Sequence, residues 1–291
     1  MSGRGGAGRP AGSRPTWLLA VPALVVVAAL IVVPYVNIVV MSFRVPSTSK
    51  PYLPGFTIGN YAKALADPDF FYLELMADTL RLAITITLAC LVIAYPVAFH
   101  LARTTSRWKG VLYALVLSPL LVGVVIRSFG WIILLANNGL INQTLRSWGA
   151  APLALMYNEF GVVLALVHVF LPFMILPLMG AIQGIDPRLE EAARSLGAGR
   201  AKVFLRVIFP LSMPGVQSGC ILVFILSCGA YVTPALLGAG RVHTMTTEVI
   251  TLLDQFLWPF GAALALLLSA VGLAAVAIYA RLSGRMMRGL A

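Results

Sequence analysis

Charge is scarce in this chain. Of 291 residues only 11% are Asp, Glu, Lys or Arg, while 60% are hydrophobic; soluble domains carry roughly 25% and about 45–50%. A soluble globular fold is thereby excluded. Acids are scarcest, 10 against 21 Lys and Arg, which leaves a formal charge of +11. On a soluble protein that excess would point to nucleic acid. Here the few charges mark where the chain leaves a bilayer, and no nucleic-acid partner is implied. Cysteine is nearly missing too. Cys90, Cys220 and Cys228 sit inside apolar runs without C-x-x-C or His-Cys spacing, so disulfide and zinc readings lack support and the three read as core packers.

Catalytic signatures are also lacking. Lys50, Lys63, Lys109 and Lys202 never follow Gly, so no phosphate-cradling G-x-x-x-x-G-K-[ST] loop exists and any energy source must lie on another chain. His100, His168 and His243 are isolated, and no H-E-x-x-H or G-x-S-x-G occurs. The chain is read as a non-enzyme that needs no metal or cofactor. An ion-coupled secondary transporter would require paired acids inside its spans, and none is seen.

What the chain does have is long apolar runs. A bilayer core of about 30 Å needs about 20 apolar residues per helix, and six windows qualify: Trp17 to Phe43, Leu82 to Ala102, Gly110 to Ile126, Phe160 to Ile185, Val207 to Gly240 and Gln255 to Ala280. The third continues past Arg127 to Ala136. The fifth exceeds one crossing and holds Pro210, Pro214 and Pro234, so about Leu211 to Leu237 is expected to span. The first, preceded by Arg4, Arg9 and Arg14, is too long for a cleaved signal sequence and reads as an uncleaved span. The expected fold is all-α and polytopic, with six transmembrane helices.

Orientation follows from the basic residues. With the N-terminus inside, the segments around Arg4 to Arg14, Arg103 to Lys109, Arg188 to Arg206 and Arg281 to Arg288 hold 14 of the 21 basic residues but only Asp186, Glu190 and Glu191 among the acids. The outer segments sum to zero. Both termini are expected to be cytoplasmic.

Outside the spans, residues 1–14 read as a disordered basic tail. Residues 44–78 read as a turn at Pro46, Pro51, Pro54 and Gly55 followed by a short surface helix. Asn142-Gln143-Thr144 is formally a glycosylation sequon. Met245, Val249, Leu252, Leu253 and Phe256 predict an amphipathic helix before the last span. Gly180-x-x-x-Gly184 and Gly215-x-x-x-Gly219 allow close helix packing.

The inner loop of residues 186–210 carries the strongest signal. Asp186 can cap a helix, Pro187 suits its first position, and Gly197 can close it in a left-handed conformation. Leu189, Ala192, Ala193 and Leu196 fall on one apolar stripe, narrow enough to dock into a groove. A second helical pattern, from Ala201 to Ile208, ends at Pro210. From spacing alone, a basic hairpin lying on anionic lipid is an equal alternative.

Glu191-Ala192-Ala193, then Gly197 after three residues and Val207-Ile208-Phe209-Pro210 after nine more, resembles the E-A-A-x3-G-x9-I-x-L-P signature of ABC-importer permeases. Tyr61 after Asn60, Tyr157-Asn158-Glu159, Leu171-Pro172-Phe173 onward and Tyr231-Val232-Thr233-Pro234 are similar to the spermidine/putrescine-type branch. The resemblance covers most of residues 15–291, taken as one permease domain. It implies a type I importer architecture, with ATPase coupling through Leu189, Glu191, Ala192, Ala193, Leu196, Gly197 and Pro210. The implied partners are a cytoplasmic ATPase dimer, a second homologous permease, an extracytoplasmic substrate-binding protein and membrane lipid. Polyamines are the leading solute. Ala230 stands where polyamine relatives often have Glu, so opines and other amino-acid-derived solutes stay open.

Within the spans, Arg127, His168, Tyr231 and Thr233 are the candidates to line a pathway. Arg127 is the only charge deep in an apolar run, and if span three ends near Trp131 its guanidinium can instead snorkel to the outer interface. The charge partition makes a direct prediction. In a variant lacking the three native cysteines, Ser106→Cys and Ser195→Cys should be shielded from an impermeant thiol reagent in intact cells and Ser147→Cys should react; labelling of Ser195→Cys from outside would reverse the orientation.

Overall fold

The structure, a computed structural model, describes residues 17–288; the basic tail of residues 1–14 lies outside the described residues. Helix α1 (Trp17–Ser42) is apolar and exposed along nearly its whole length, and its main packing partner is the last helix. The chain then forms an antiparallel pair, β1 (Arg44–Val45) and β2 (Leu53–Phe56), that the proline pattern did not announce. Arg44 lies over the rings of Tyr52 and Phe56, 5.1 and 4.5 Å from their centroids. The expected surface helix is α2 (Gly59–Leu65). Its Asn60 donates to the carbonyls of Ser42 and Arg44 at 2.8 and 3.0 Å, and its Tyr61 hydroxyl meets Ser42 Oγ at 2.7 Å, so this pair closes the end of α1.

Helix α3 (Phe71–Arg103) begins well before the charge-free window at Leu82. Glu74, Asp78 and Arg81 ride on its exposed side. A hydropathy window stops at such charges; a helix does not. The third window is where expectation and structure differ most. It is two helices, α4 (Lys109–Leu121) and α5 (Val124–Leu135), parted at Val122 and Gly123, whose ψ angles of 128° and 143° are extended. Pro119 and Gly123 weaken helix continuity at that point.

Beyond α6 (Leu140–Ser147) the chain turns into α7 (Glu159–Gln183), capped by Asn158, which accepts from Gly161 N at 2.9 Å. Asn142 on α6 is fully buried and bonds Ala136 O, Leu153 O and Leu153 N, so the sequon asparagine is a structural staple with no free amide to modify. Then come α8 (Pro187–Ser195) and α9 (Arg200–Val203). Pro210 does not end this helical run. A π-helical turn, Phe204–Ile208, widens the helix and leads directly into α10 (Phe209–Cys228), with Phe209 N bonding Phe204 O across the wide turn. The wide turn makes room for a proline that lacks an N–H and crowds the preceding carbonyls.

The fifth crossing also stops short of Leu237. Helix α10 ends at Cys228, and α11 (Val232–Gly238) follows as a separate short helix, leaving through Ala239 at φ 43°. Helix α12 (Met245–Asp254) is the expected amphipathic helix, with a Thr244/Thr247 capping box. Helix α13 (Trp258–Arg288) is the last element among the described residues. Among the described residues, six segments are long and apolar enough to cross a membrane; by that measure the third is Val124–Ser147, preceded by the shorter apolar Lys109–Leu121.

Helices α3, α7 and α10 form the centre, packing against one another around Ile86, Cys90, Ala94, Met174, Leu178 and Val223. All three cysteines are free and buried. Between helices in lipid, close van der Waals contact replaces the hydrophobic drive of water, and α10 obtains it with glycine. A Cβ on Gly215 would lie 2.6 Å from Ala181 Cβ and 2.8 Å from Pro177 O; on Gly219 it would lie 2.7 Å from Met174 Sδ. The second small-residue pair does not pack this way: Gly180 has open space and Gly184 meets only its own helix backbone. Gly215→Val should therefore lower the stability of the purified protein by about 1–3 kcal/mol, the usual cost of overpacking, seen as a reduced midpoint of thermal aggregation in detergent. Gly180→Ala should leave the midpoint unchanged.

Candidate functional site

Helix α8 is built to be held in one orientation. Asp186 accepts from Arg188 N at 2.9 Å, and Pro187 occupies the first helical position. At the other end Gly197 takes φ 84°, with Gly197 N bonding Arg194 O at 2.9 Å and Ala198 N bonding Ala193 O at 3.1 Å, the paired bonds of a Schellman closure. The cap residues expected from the sequence thus play their expected local parts.

The stripe itself divides. Leu189, Ala192 and Leu196 face outward, Leu189 at 48% and Leu196 at 89% exposure. Ala193 turns the other way, into a small cluster with Ile185, Val203, Ile208 and Phe99. The charges divide as well. Glu191 is exposed, whereas Glu190, three residues before Ala193 on the same face, is 9% exposed. Glu190 Oε1 lies 2.7 Å from Arg103 Nη2 at the end of α3, and Arg103 Nη1 donates to Ile185 O at 3.1 Å. Arg194 reaches the other Glu190 oxygen more loosely, at 3.8 Å. Glu190 and Arg103 were missing from the sequence candidates: Glu190 looked like one more charge on a solvated face, and nothing in linear order joins it to Arg103. Its i, i+3 spacing to Ala193 was the one available signal. Pro210, also a candidate, lies past the π-helical turn, in the first turn of α10. Tyr95 beside it packs edge-on against Phe204, with centroids 5.3 Å apart, and shares a 2.7 Å hydroxyl contact with Ser212.

A second group of candidates meets where α5, α7 and α11 come together. The Arg127 guanidinium turns back along α5 and donates to Val122 O at the break between α4 and α5. The side chain runs toward the break and not toward Ala136, covering a carbonyl that the break leaves without a helical partner. One residue on, Ser128 Oγ lies 3.2 Å from Thr233 Oγ1 of α11, both buried. One turn on, the Trp131 ring stands edge-on to His168 of α7, with centroids 5.6 Å apart. Arg127 Nε and Nη1 and His168 Nδ1 are shielded and meet no partner among the described residues. Arg127, His168 and Thr233 thus gather around one turn of α5. Tyr231 stands apart from that contact set, half-exposed at the start of α11. The cluster can offer N–H and hydroxyl groups to a polar solute but holds no nucleophile–base pair. Tyr157, at φ 61°, donates its N–H to Leu237 O at 3.1 Å and ties the start of α7 to α11.

Gly197 offers a local test. Gly197→Val places a β-branched residue at φ 84°, a strain of order 1–3 kcal/mol. Hydrogen exchange at Leu196 to Ala198 should accelerate while the core of α3, α7 and α10 keeps its protection.

Comparison with known proteins adds three findings. The profile of the family described as binding-protein-dependent transport system inner membrane component matches residues 150–288, from before α7 through α13. The spermidine/putrescine transport system permease protein PotB of Escherichia coli (strain K12) is 38% identical over 222 residues, 74% of this chain and 78% of that protein. PotB of Haemophilus influenzae is 35% identical over 257 residues, 86% of this chain and 88% of its own length. Among solved structures, a bacterial ABC transporter that imports the acidic polysaccharide alginate superposes with a TM-score of 0.69 over 93% of this chain and 96% of that chain; at 17% identity it bears on the fold alone.

Proposed function

This chain belongs to the binding-protein-dependent inner-membrane transport components, as a multi-pass ABC-importer permease subunit, and on that premise we propose that it moves a polyamine of the spermidine/putrescine kind into the cell. A permease subunit of this family does no catalysis; its part is to shape and move a path. Residues 15–291 form one permease domain, with residues 186–210 as its coupling loop on the cytoplasmic side, where both termini also lie.

The observation that carries the partner assignment is the divided surface of α8. One face is pinned by Glu190 and Ala193, while Leu189, Ala192 and Leu196, with Glu191 beside them, are left outward on a rigid, doubly capped helix. An apolar stripe held open in this way suits a groove on a cytoplasmic ATPase dimer. A hairpin resting on lipid would have no need of a buried ion pair on its inner face. A second, homologous permease completes the path, and an extracytoplasmic binding protein delivers the solute. ATP-driven closure of the ATPase moves α8, and the helices rock between inward-open and outward-open forms. Arg127, His168, Tyr231 and Thr233 line the route.

One observation favours a second solute class within the same machinery. Arg127 presents two unpartnered nitrogens, Nε and Nη1, one turn before the Trp131–His168 contact, and position 230 is Ala, an arrangement that welcomes a carboxylate more readily than a bare polycation. Opine-like zwitterions fit it. Both readings are tested in vesicles holding the assembled importer and its binding protein. Labelled spermidine should be taken up with ATP, and octopine should not; the reverse result would give the path to amino-acid-derived solutes, and then Arg127→Gln should depress uptake far more than Arg127→Lys. In the same preparation, Leu189→Asp with Leu196→Asp should weaken ATPase binding about tenfold or more, equivalent to about 1.4 kcal/mol. Undiminished co-purification of the ATPase would return α8 to the lipid surface.

A further inference from the structure

The ion pair beneath α8 does more than fix that helix in place. Glu190 is the one charge on α8 taken out of solvent, and its partner Arg103 is the last residue of α3, on a segment far away in sequence. Arg103 also holds Ile185 O, the carbonyl just before α8 begins, so one guanidinium grips both the side and the entry of the helix. Phe99, one turn earlier on α3, packs in the cluster that receives Ala193. A half-buried charge pair of this kind resists separation, because parting it leaves a charge with no water to receive it.

Helix α3 carries that grip a long way. Its 33 residues span about 50 Å at 1.5 Å per residue. In its opposite third, about 33 Å from Arg103 at that rise, Arg81 pairs with Glu159 in the first turn of α7, and Thr79 Oγ1 accepts Met245 N, the first residue of α12, at 2.8 Å. The same helix therefore ends on α8 at one extremity and meets the starts of α7 and α12 in its opposite third.

We propose that the Arg103–Glu190 ion pair is the strut through which displacement of α8 is delivered to α3, and through α3 to the opposite face of the membrane. Glu190 and Arg103 are then positioning residues for coupling, distinct from the outward stripe that touches the ATPase. The proposal rests on the importer reading given above.

The test uses the importer assembled with its ATPase, second permease and binding protein in phosphatidylethanolamine/phosphatidylglycerol vesicles. Ala77→Cys, exposed near the far end of α3, serves as reporter in a background lacking Cys90, Cys220 and Cys228. Trapping with ATP and vanadate, with no solute present, should change the maleimide reaction rate of the reporter by about fivefold or more, within the range of ordinary coupling. Glu190→Gln and Arg103→Gln should bind the ATPase normally yet abolish that change. The exchanged pair, Arg103→Glu with Glu190→Arg, should restore it. An unchanged response in Glu190→Gln, no response with the intact pair, or no recovery in the exchanged pair would each overturn the strut. Because the readout needs only ATP, an importer that shows it without taking up spermidine would refute the polyamine reading and leave the strut standing.

Discussion

Backbone groups inside a bilayer have no water to turn to, so each interruption of a spanning helix has to be closed from within the protein. Four such closures shape this structure. Pro119 frees Leu115 O, and the Ser118 hydroxyl donates to it at 2.9 Å. The gap between α4 and α5 exposes Val122 O, and Arg127 covers it. The π-helical turn before Pro210 is bridged by Phe209 N and Phe204 O. Where α10 ends, Cys228 O receives the Thr246 hydroxyl at 2.7 Å. Charged and polar side chains inside the spans thus sit where the main chain asks for them. The same sites supply the half-helices whose meeting point gathers Arg127, His168 and Thr233.

Much of this was legible beforehand, and the reasons are specific. Span number follows from transfer free energy, which a window of composition measures directly. The ends of α8 were legible because Asp186, Pro187 and Gly197 act on the backbone of their own helix, at fixed offsets. Gly215 and Gly219 were legible as a spacing, but so were Gly180 and Gly184, and only the first pair meets a neighbouring helix; spacing shows which face is small and not what lies opposite it. The break at Val122 escaped notice because hydropathy does not register helix continuity. The start of α3 at Phe71 was hidden for the opposite reason, since charges on one side of a helix interrupt an average without interrupting the helix.

The division between Glu190 and Glu191 lay furthest from reach. Neighbouring residues on a helix point about 100° apart, so two adjacent acids can have unrelated fates, one in solvent and one beneath the helix. Which of them turns inward is settled by Arg103, a residue that sequence order places on the far side of four helices. Long-range ion pairs of this sort are composed by the fold. Asn60 and Tyr61 give a gentler example: their family resemblance was visible, whereas their part in closing the end of α1 required the geometry.

Helix α1 finds its main neighbour in α13, the last helix of the described chain. During synthesis at the translocon, α1 therefore enters the lipid long before that neighbour exists and must wait there alone while the central bundle is threaded in. A helix with a polar stripe would be a poor candidate for such a wait, since it would pair with whichever helix emerged next. The apolar surface of α1, broken only by Asn37 before its last residue, carries no polar stripe to trap an early wrong pairing, and α13 is the helix that gives it a place.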